Sequence, residues 1–273
     1  MADQGDLFGP ETYKDSGRYA LKVLRDRAIV CQKCKLHETR KNVVFGVGNF
    51  ERPRICFVGE APGENEDIKG EPFVGKAGQL LDKMIVAMGF TREQLYIVNV
   101  VGCRPPGNRP PEPDEVAACK EHIVGQLRLI QPQMIVTLGA SATKALLKSQ
   151  KAIGELRGRW YEWEGIPLRA TYHPSFLLRS PHKKKDAWSD LQIVLQKLAA
   201  TDSYGQGQGD GHGHGNEATD SSHGNGRDGS SPPVPEGEGA GRAGDPEAVR
   251  SSTEAATRTE WQPPPEKEDG TGF

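Results

Sequence analysis

Apolar residues along the 273-residue chain gather in two alternating kinds of segment. Short runs over Arg54 to Val58, Tyr96 to Val100, Met134 to Leu138 and Leu168 to Tyr172 read as strands with both faces buried. The stretches between them place apolar residues at helical spacing. Ala77 to Met88 does so at Leu80, Leu81, Met84, Ile85 and Met88, and Asp114 to Ile130 at Val116, Ile123, Val124, Leu127 and Ile130. Ser141 to Lys148 predicts another helix, Leu21, Leu24 and Ile29 a first one ending near Cys31, and Trp188 to Ala199 a last one. Strands separated by helices imply an α/β fold: a parallel sheet between two helical layers. Loops at the carboxyl ends of such strands converge on one crevice. Gly59-Glu60-Ala61-Pro62-Gly63 and His173-Pro174-Ser175 each stand at such an end.

The pattern stops near Ala200. Thr201 to Phe273 is rich in Gly, Pro, Ser, Glu and Asp and has no period able to bury a core. The chain therefore divides into a flexible arm (1–14), a folded domain (15–200) and a disordered acidic tail (201–273). The formal net charge of −2 conceals an asymmetry: residues 1–200 carry 30 basic and 23 acidic side chains, residues 201–273 carry 5 and 14. A basic folded part suits a polyanionic partner, because Lys and Arg contacts to phosphate release counterions. No apolar run reaches the roughly 18–20 residues of a membrane span, and no signal peptide opens the chain, so the expected location is cytoplasmic.

Four cysteines could share a site. Cys31 and Cys34 form a Cys-x-x-Cys, Cys103 opens a Pro-rich loop and Cys119 lies on the following helix, whereas Cys56 sits within an apolar strand and reads as core. Four thiolates suit tetrahedral zinc or a 4Fe-4S cluster, and spacing leaves both open beside the reading of four free thiols. The loop Glu60 to Asp67 is equally open. Its carboxylates suit a magnesium site of a phosphoesterase or a solvated acidic loop, while its glycines allow close approach of a ligand.

Taken together these segments resemble the iron-sulfur (family 4) uracil-DNA glycosylases. The resemblance covers Ala20 to Ala200 and rests on Cys31-x-x-Cys34-x-Leu36-His37-x-Thr39-Arg40, the Gly59 block, Pro72-Phe73-Val74-Gly75, Asn99, Cys103-Arg104-Pro105-Pro106-Gly107-Asn108-Arg109, Cys119 and His173-Pro174-Ser175-Phe176-Leu177-Leu178-Arg179. It implies a four-stranded parallel sheet within a three-layer α/β/α domain, and Cys31, Cys34, Cys103 and Cys119 holding a 4Fe-4S cluster that shapes DNA-contacting loops. It also implies release of uracil from DNA by hydrolysis of the N-glycosidic bond, leaving an abasic site.

The roles implied for single residues follow the same resemblance. Asn99 reads the uracil edge, His173 donates to uracil O2 and Phe73 stacks on the extruded base. Ala61 stands where the best-known uracil-DNA glycosylases carry a water-activating Asp, which leaves Glu60 and Glu66 as candidates for orienting the water. Leu177 or Leu178 is expected to wedge into the vacated stack, with Ser175, Arg179, His182, Lys183, Lys184 and Lys185 meeting the DNA. The loop Arg104 to Arg109 has no histidine, unlike a related branch that traps uracil-DNA covalently, so turnover is expected.

Two other readings stay beside the glycosylase: a metal-dependent phosphoesterase and a noncatalytic nucleic-acid-binding module built on the four cysteines. Gln4-Gly5-Asp6-Leu7-Phe8 resembles the peptide by which bacterial repair proteins grip the sliding clamp. The domain is expected to act as a monomer.

Overall fold

The structure, a computed structural model, describes residues 10–205. The expected arm lies outside them except where helix α1 (Pro10–Ile29) begins, and so does the clamp-like peptide Gln4 to Phe8. Strand β1 (Val47–Gly48) is followed by β2 (Ile55–Gly59), α2 (Glu64–Lys69), α3 (Lys76–Ala87), β3 (Tyr96–Asn99) and α4 (Pro113–Ile130). The chain continues with β4 (Met134–Leu138), α5 (Ala140–Leu147), α6 (Ile153–Leu156), β5 (Trp160–Trp163), β6 (Ile166–Thr171), α7 (Pro174–Arg179) and α8 (Lys184–Gly205). The last helix continues through Gly205, into the segment expected to belong to the tail.

The strands form one sheet in the order β1-β3-β2-β4-β6-β5. The expected sheet of four parallel strands is thus corrected to a mixed sheet of six. Strands β3, β2, β4 and β6 run parallel, while β1 and β5 join the two edges antiparallel. The two edges arise differently: β1 precedes its partner β3 by the whole of β2, α2 and α3, whereas β5 and β6 are consecutive. Strand β5 reaches β6 through Glu164-Gly165, both at positive φ (47° and 83°), a two-residue turn whose twist matches that of the strands.

Strand alternation divides the core in two. Ile55 and Phe57 with Ile97, Met134 and Val136 pack toward α3, α7 and α8 through Leu81, Met84, Ile85, Leu177 and Leu191. Cys56, Val58, Tyr96, Val98 and Ile135 pack on the other face toward α4 and α5 through Ile123, Leu127, Ile130 and Ala142. The sheet is therefore the middle of three layers, and its carboxyl edge is left to the loops.

One polar contact passes through the apolar layer under that edge. Asp190 of α8 accepts from Arg157 Nε at 2.9 Å, Arg169 Nη2 at 3.2 Å and the Thr171 hydroxyl at 3.0 Å, and Arg169 is itself buried in β6. Removing the carboxylate strands a buried guanidinium. We expect Asp190→Ala to lose about 3–5 kcal/mol of stability in denaturant unfolding, and a loss under about 1 kcal/mol, the range of an exposed pair, to show that the network is solvated.

Candidate active site

Strands β2 and β3 bring the first pieces together. Gly59 and Asn99 are register partners at the ends of these strands, and alternation turns Asn99 toward the α3 side of the sheet. A Cβ on residue 59 would lie 2.3 Å from Asn99 Oδ1 and 2.5 Å from Phe73 Cζ, so only glycine lets the amide and the ring meet over this backbone. Phe73 itself is held at φ 54°, a left-handed conformation that costs a non-glycine residue on the order of 1 kcal/mol or more. Arg92 donates to the Pro72 carbonyl, anchoring the approach to this turn.

The Glu66 carboxylate fastens two loops. Its Oε1 accepts from the Val74 and Gly75 N–H groups at 2.9 and 2.8 Å, and its Oε2 from Gly63 N–H at 3.1 Å. The segment carrying Ala61 to Gly63 is thereby tied to the segment that follows Phe73. Asp67, buried beside it, accepts at Oδ1 from the Lys41 and Asn42 N–H groups. Two of the four carboxylates weighed as a magnesium site are thus bound to backbone donors, and Glu64 lies 3.7 Å from Arg104. Among the described residues no three His, Cys, Asp or Glu side chains form a group able to hold a single metal ion. Glu60 alone of the four lines the cleft with its carboxylate unpartnered among the described residues.

His173 closes the arrangement from β6. It caps the N-terminus of α7, its Nδ1 accepting from the Ser175 N–H at 3.1 Å and lying 2.8 Å from Ser175 Oγ. An Nδ1 that accepts from a backbone amide carries no proton, so the neutral ring bears its proton on Nε2. Burial, with Arg179 adding to it, lowers the His173 pKa to about 4. Gly139, at φ 89°, brings the β4–α5 turn so close that a Cβ there would stand 3.0 Å from His173 Cβ. The His173 and Phe73 rings are 5.6 Å apart between centroids and inclined by 33°.

Glu60, Glu66, Phe73, Asn99 and His173 line one cleft of about 680 Å³, walled also by Ala61, Tyr172 and Phe176 and by Pro105, Asn108, Arg109 and Pro110. Asn99 is 5% exposed there, and its Oδ1 is buried without a hydrogen-bond partner. A buried acceptor left unpaired costs about 1–3 kcal/mol. A ligand N–H at this point would satisfy it.

A second cavity lies behind the sheet edge. Cys31, Cys34, Cys103 and Cys119 line it together with Arg40, His122 and, again, Asn99. Burial pushes the Cys119 thiol up to about 12 and raises that of Cys103, with the neighbouring sulfurs adding to both. Two donors already point at sulfur: Arg40 Nη1 to Cys103 Sγ at 3.3 Å and Gly102 N–H to Cys119 Sγ at 3.5 Å. Cys56 is buried in β2 apart from this group, as expected of a core residue.

Residues 45–192 match the family description of the Uracil DNA glycosylase superfamily. The chain is 43% identical over 189 residues to a type-4 uracil-DNA glycosylase of Saccharolobus solfataricus, covering 66% of this chain and 87% of the relative. Similar matches are found to type-4 uracil-DNA glycosylases of Archaeoglobus fulgidus, at 45% identity over 59% of this chain and 85% of the relative, and of Thermotoga maritima, at 46% over 59% and 84%. The chain belongs to the type-4 uracil-DNA glycosylase family.

Within this family member, the segment after His173 separates two leucines that sequence leaves equivalent. Leu177 is 1% exposed and packs with Leu81, Met84 and Leu191, so the expectation that it touches DNA is corrected: helical geometry turns it into the core. Leu178 is 44% exposed. Arg179 lines the cleft rim, Ser175 is engaged with His173, Lys183 Nζ bonds Asp186 at 3.2 Å and Lys184 opens α8. Sequence reasoning missed the far wall. There Arg109 makes a two-point bond to the buried Glu115 at 2.6 and 2.9 Å, which fixes the loop bearing Asn108, and the Glu115 spacing from Glu112 at the α4 start was the available sign.

The lowered His173 pKa has a measurable sign. Because the folded state binds fewer protons than the unfolded one between pH 6.5 and about 4, the stabilisation tied to neutral His173 is present above pH 6.5 and fades as pH falls through that window. We expect imidazole NMR to show the Nε2–H form unchanged from pH 8 down to about 5 and a His173→Gln variant to lose part of the acid-side slope of stability. A ring that titrates near 6.5 would refute the buried neutral state.

Proposed function

We infer that this chain hydrolyses the N-glycosidic bond of deoxyuridine in DNA, releasing uracil and leaving an abasic site. The observation that carries the reading is the buried, unpaired Oδ1 of Asn99, which meets the Phe73 ring above Gly59 in a cleft that His173 also lines. Uracil offers N3–H to that oxygen and O4 to the Asn99 amide N–H. Cytosine offers a bare N3 and an amino group at the same two places, so both halves of the amide face like partners. A buried site built this way discriminates strongly because the wrong base leaves its polar groups unpaired.

The reaction needs charge stabilisation more than a nucleophile. As the bond from N1 to C1′ lengthens, the sugar becomes cationic and the base anionic, with negative charge on O2 and O4. His173 Nε2–H, held neutral and oriented by the Ser175 amide, suits donation to O2, and a donor fixed before the reaction costs no reorganisation during it. Phe73 replaces the stacking that the base loses on leaving the duplex. Water adds its oxygen to C1′, and its proton is left for the uracil anion.

Of the two carboxylates considered for that water, Glu60 is the better placed. It lines the cleft free of the backbone bonds that occupy Glu66, whose part is to hold the Gly63 and Phe73 loops together. Ala61, between them, supplies a small wall at the base. Leu178 is the exposed residue suited to fill the space the base vacates, with Arg179, Lys183 and Lys184 near phosphates. All three groups proposed to contact the base come from one copy, which suits action as a monomer; we place that action in the cytosol, at the nucleoid. No helix among the described residues is long and apolar enough to cross a membrane.

Cys31, Cys34, Cys103 and Cys119 would hold a 4Fe-4S cluster. Four sulfurs spread around one cavity suit a group in which each thiolate binds its own iron, and the two sulfur-directed donors suit thiolates rather than thiols. Bound there, the cluster would fix the Cys103 loop that leads from Asn99 to the wall of the cleft.

With a uracil-containing oligonucleotide and chelator present, the wild-type protein is expected to release free uracil without cutting the strand. Asn99→Ala and His173→Ala should each slow release by about 100-fold or more, and a wild-type rate in either removes that residue from the site. Glu60→Gln should lower kcat with little change in melting temperature, whereas Glu66→Ala, which frees three backbone donors, should lower both. The reverse pattern would exchange their roles.

A further inference from the structure

His122 lies one helical turn after Cys119 on α4 and is 8% exposed, yet neither of its ring nitrogens has a hydrogen-bond partner among the described residues. The polar groups around it are engaged elsewhere. The His122 carbonyl accepts from Gln126 Nε2, and Gln126 Oε1 accepts from the Gly46 N–H and the Tyr96 hydroxyl. Glu121 Oε1 stands 3.9 Å from Nε2, too far for a hydrogen bond, and pairs with Lys33 at 2.5 Å. A buried imidazole with both its donor and its acceptor idle is a rare arrangement that calls for a partner. The ring lines the cavity of Cys31, Cys34, Cys103 and Cys119.

Arg40 faces the same cavity in a different condition. Its Nη1 donates to Cys103 Sγ at 3.3 Å and to the Cys31 carbonyl at 2.7 Å, and its Nη2 to the Ile29 carbonyl at 3.1 Å. One wall of the cavity thus already presents a donor to sulfur. On the α4 wall, by contrast, both His122 ring nitrogens are without a partner among the described residues.

We propose that His122 donates a ring N–H to a sulfur of the 4Fe-4S cluster and, together with Arg40, tunes the potential at which the cluster gains an electron. The proposal rests on the cluster reading given above. Hydrogen bonds to cluster sulfurs stabilise the more negative, reduced state and so raise the reduction potential. Neither residue is a ligand to iron in this scheme. Each acts on the sulfurs that are.

The test uses full-length protein purified without air: wild type, His122→Phe and His122→Gln. Iron and labile sulfide per chain are counted first, and an iron-free wild type overturns the cluster reading itself. The midpoint potential is then measured by mediated titration followed by EPR. A more negative midpoint in His122→Phe, partly restored in His122→Gln, supports the donor; equal midpoints in three iron-loaded proteins overturn the role of His122 and leave the cluster intact. Pulsed EPR of wild type carrying isotope-labelled histidine guards against a Phe variant that fails to assemble. A weak nitrogen coupling to the paramagnetic cluster, lost in His122→Gln, is expected, and no coupling in wild type refutes the contact.

Discussion

The pairing of Gly59 with Asn99 across two parallel strands is the constraint from which the rest of the site follows. Side chains alternate along a strand, so a slip of one residue would turn Asn99 to the opposite face and carry Phe57 and Val58 to the wrong layers of the core. The register that buries Ile55 and Phe57 against α3 is therefore the register that aims an amide at the cleft. Packing and the shape of the cleft depend on the same hydrogen-bond ladder. Glycine at position 59 then lets the Phe73 ring close over the amide without moving either strand.

Around that pairing the loops are held by charge and hydrogen bonds rather than by apolar contact. Glu66 gathers three backbone amides, Asp67 two more, and Glu115 takes both arms of the Arg109 guanidinium. A buried carboxylate satisfied by several N–H groups is fixed in direction as well as place. Such acidic residues look catalytic in a sequence, because a motif records their presence and not what they bond. The loops that frame the cleft are thus tied down by bonds made within the chain, the condition under which a donor such as the one proposed at His173 Nε2–H would act without reorganisation.

What could be read from the residues follows the physics of each element. Long buried runs such as Met134 to Leu138 and the amphipathic stretch to Ile130 announce themselves by period, and strand ends at Gly59, Asn99 and His173 mark the cleft because loops there must converge. Strand β1 has two residues, too few for any period, and β5 mixes Trp160, Tyr161, Glu162 and Trp163 at a half-exposed edge, where its Glu-Gly turn lacks the Asn-Gly or Asp-Gly that would have flagged a hairpin. Leu177 and Leu178 are neighbours of one chemistry, and only the phase of a six-residue helix tells which faces the core. His122 carried no signal at all. A histidine on the inner face of α4 reads as packing until the cavity beside it is seen.

Asn99 borders both cavities, the cleft in front and the sulfur-lined space behind, and the chain runs from it to Cys103 in four residues. On the proposed reading, the amide that would tell one pyrimidine from another would be braced from the rear by the four-cysteine site. If an iron-sulfur group sits there, its oxidative loss would slacken that brace, and the conditions that damage DNA would then also blunt the discrimination proposed for Asn99.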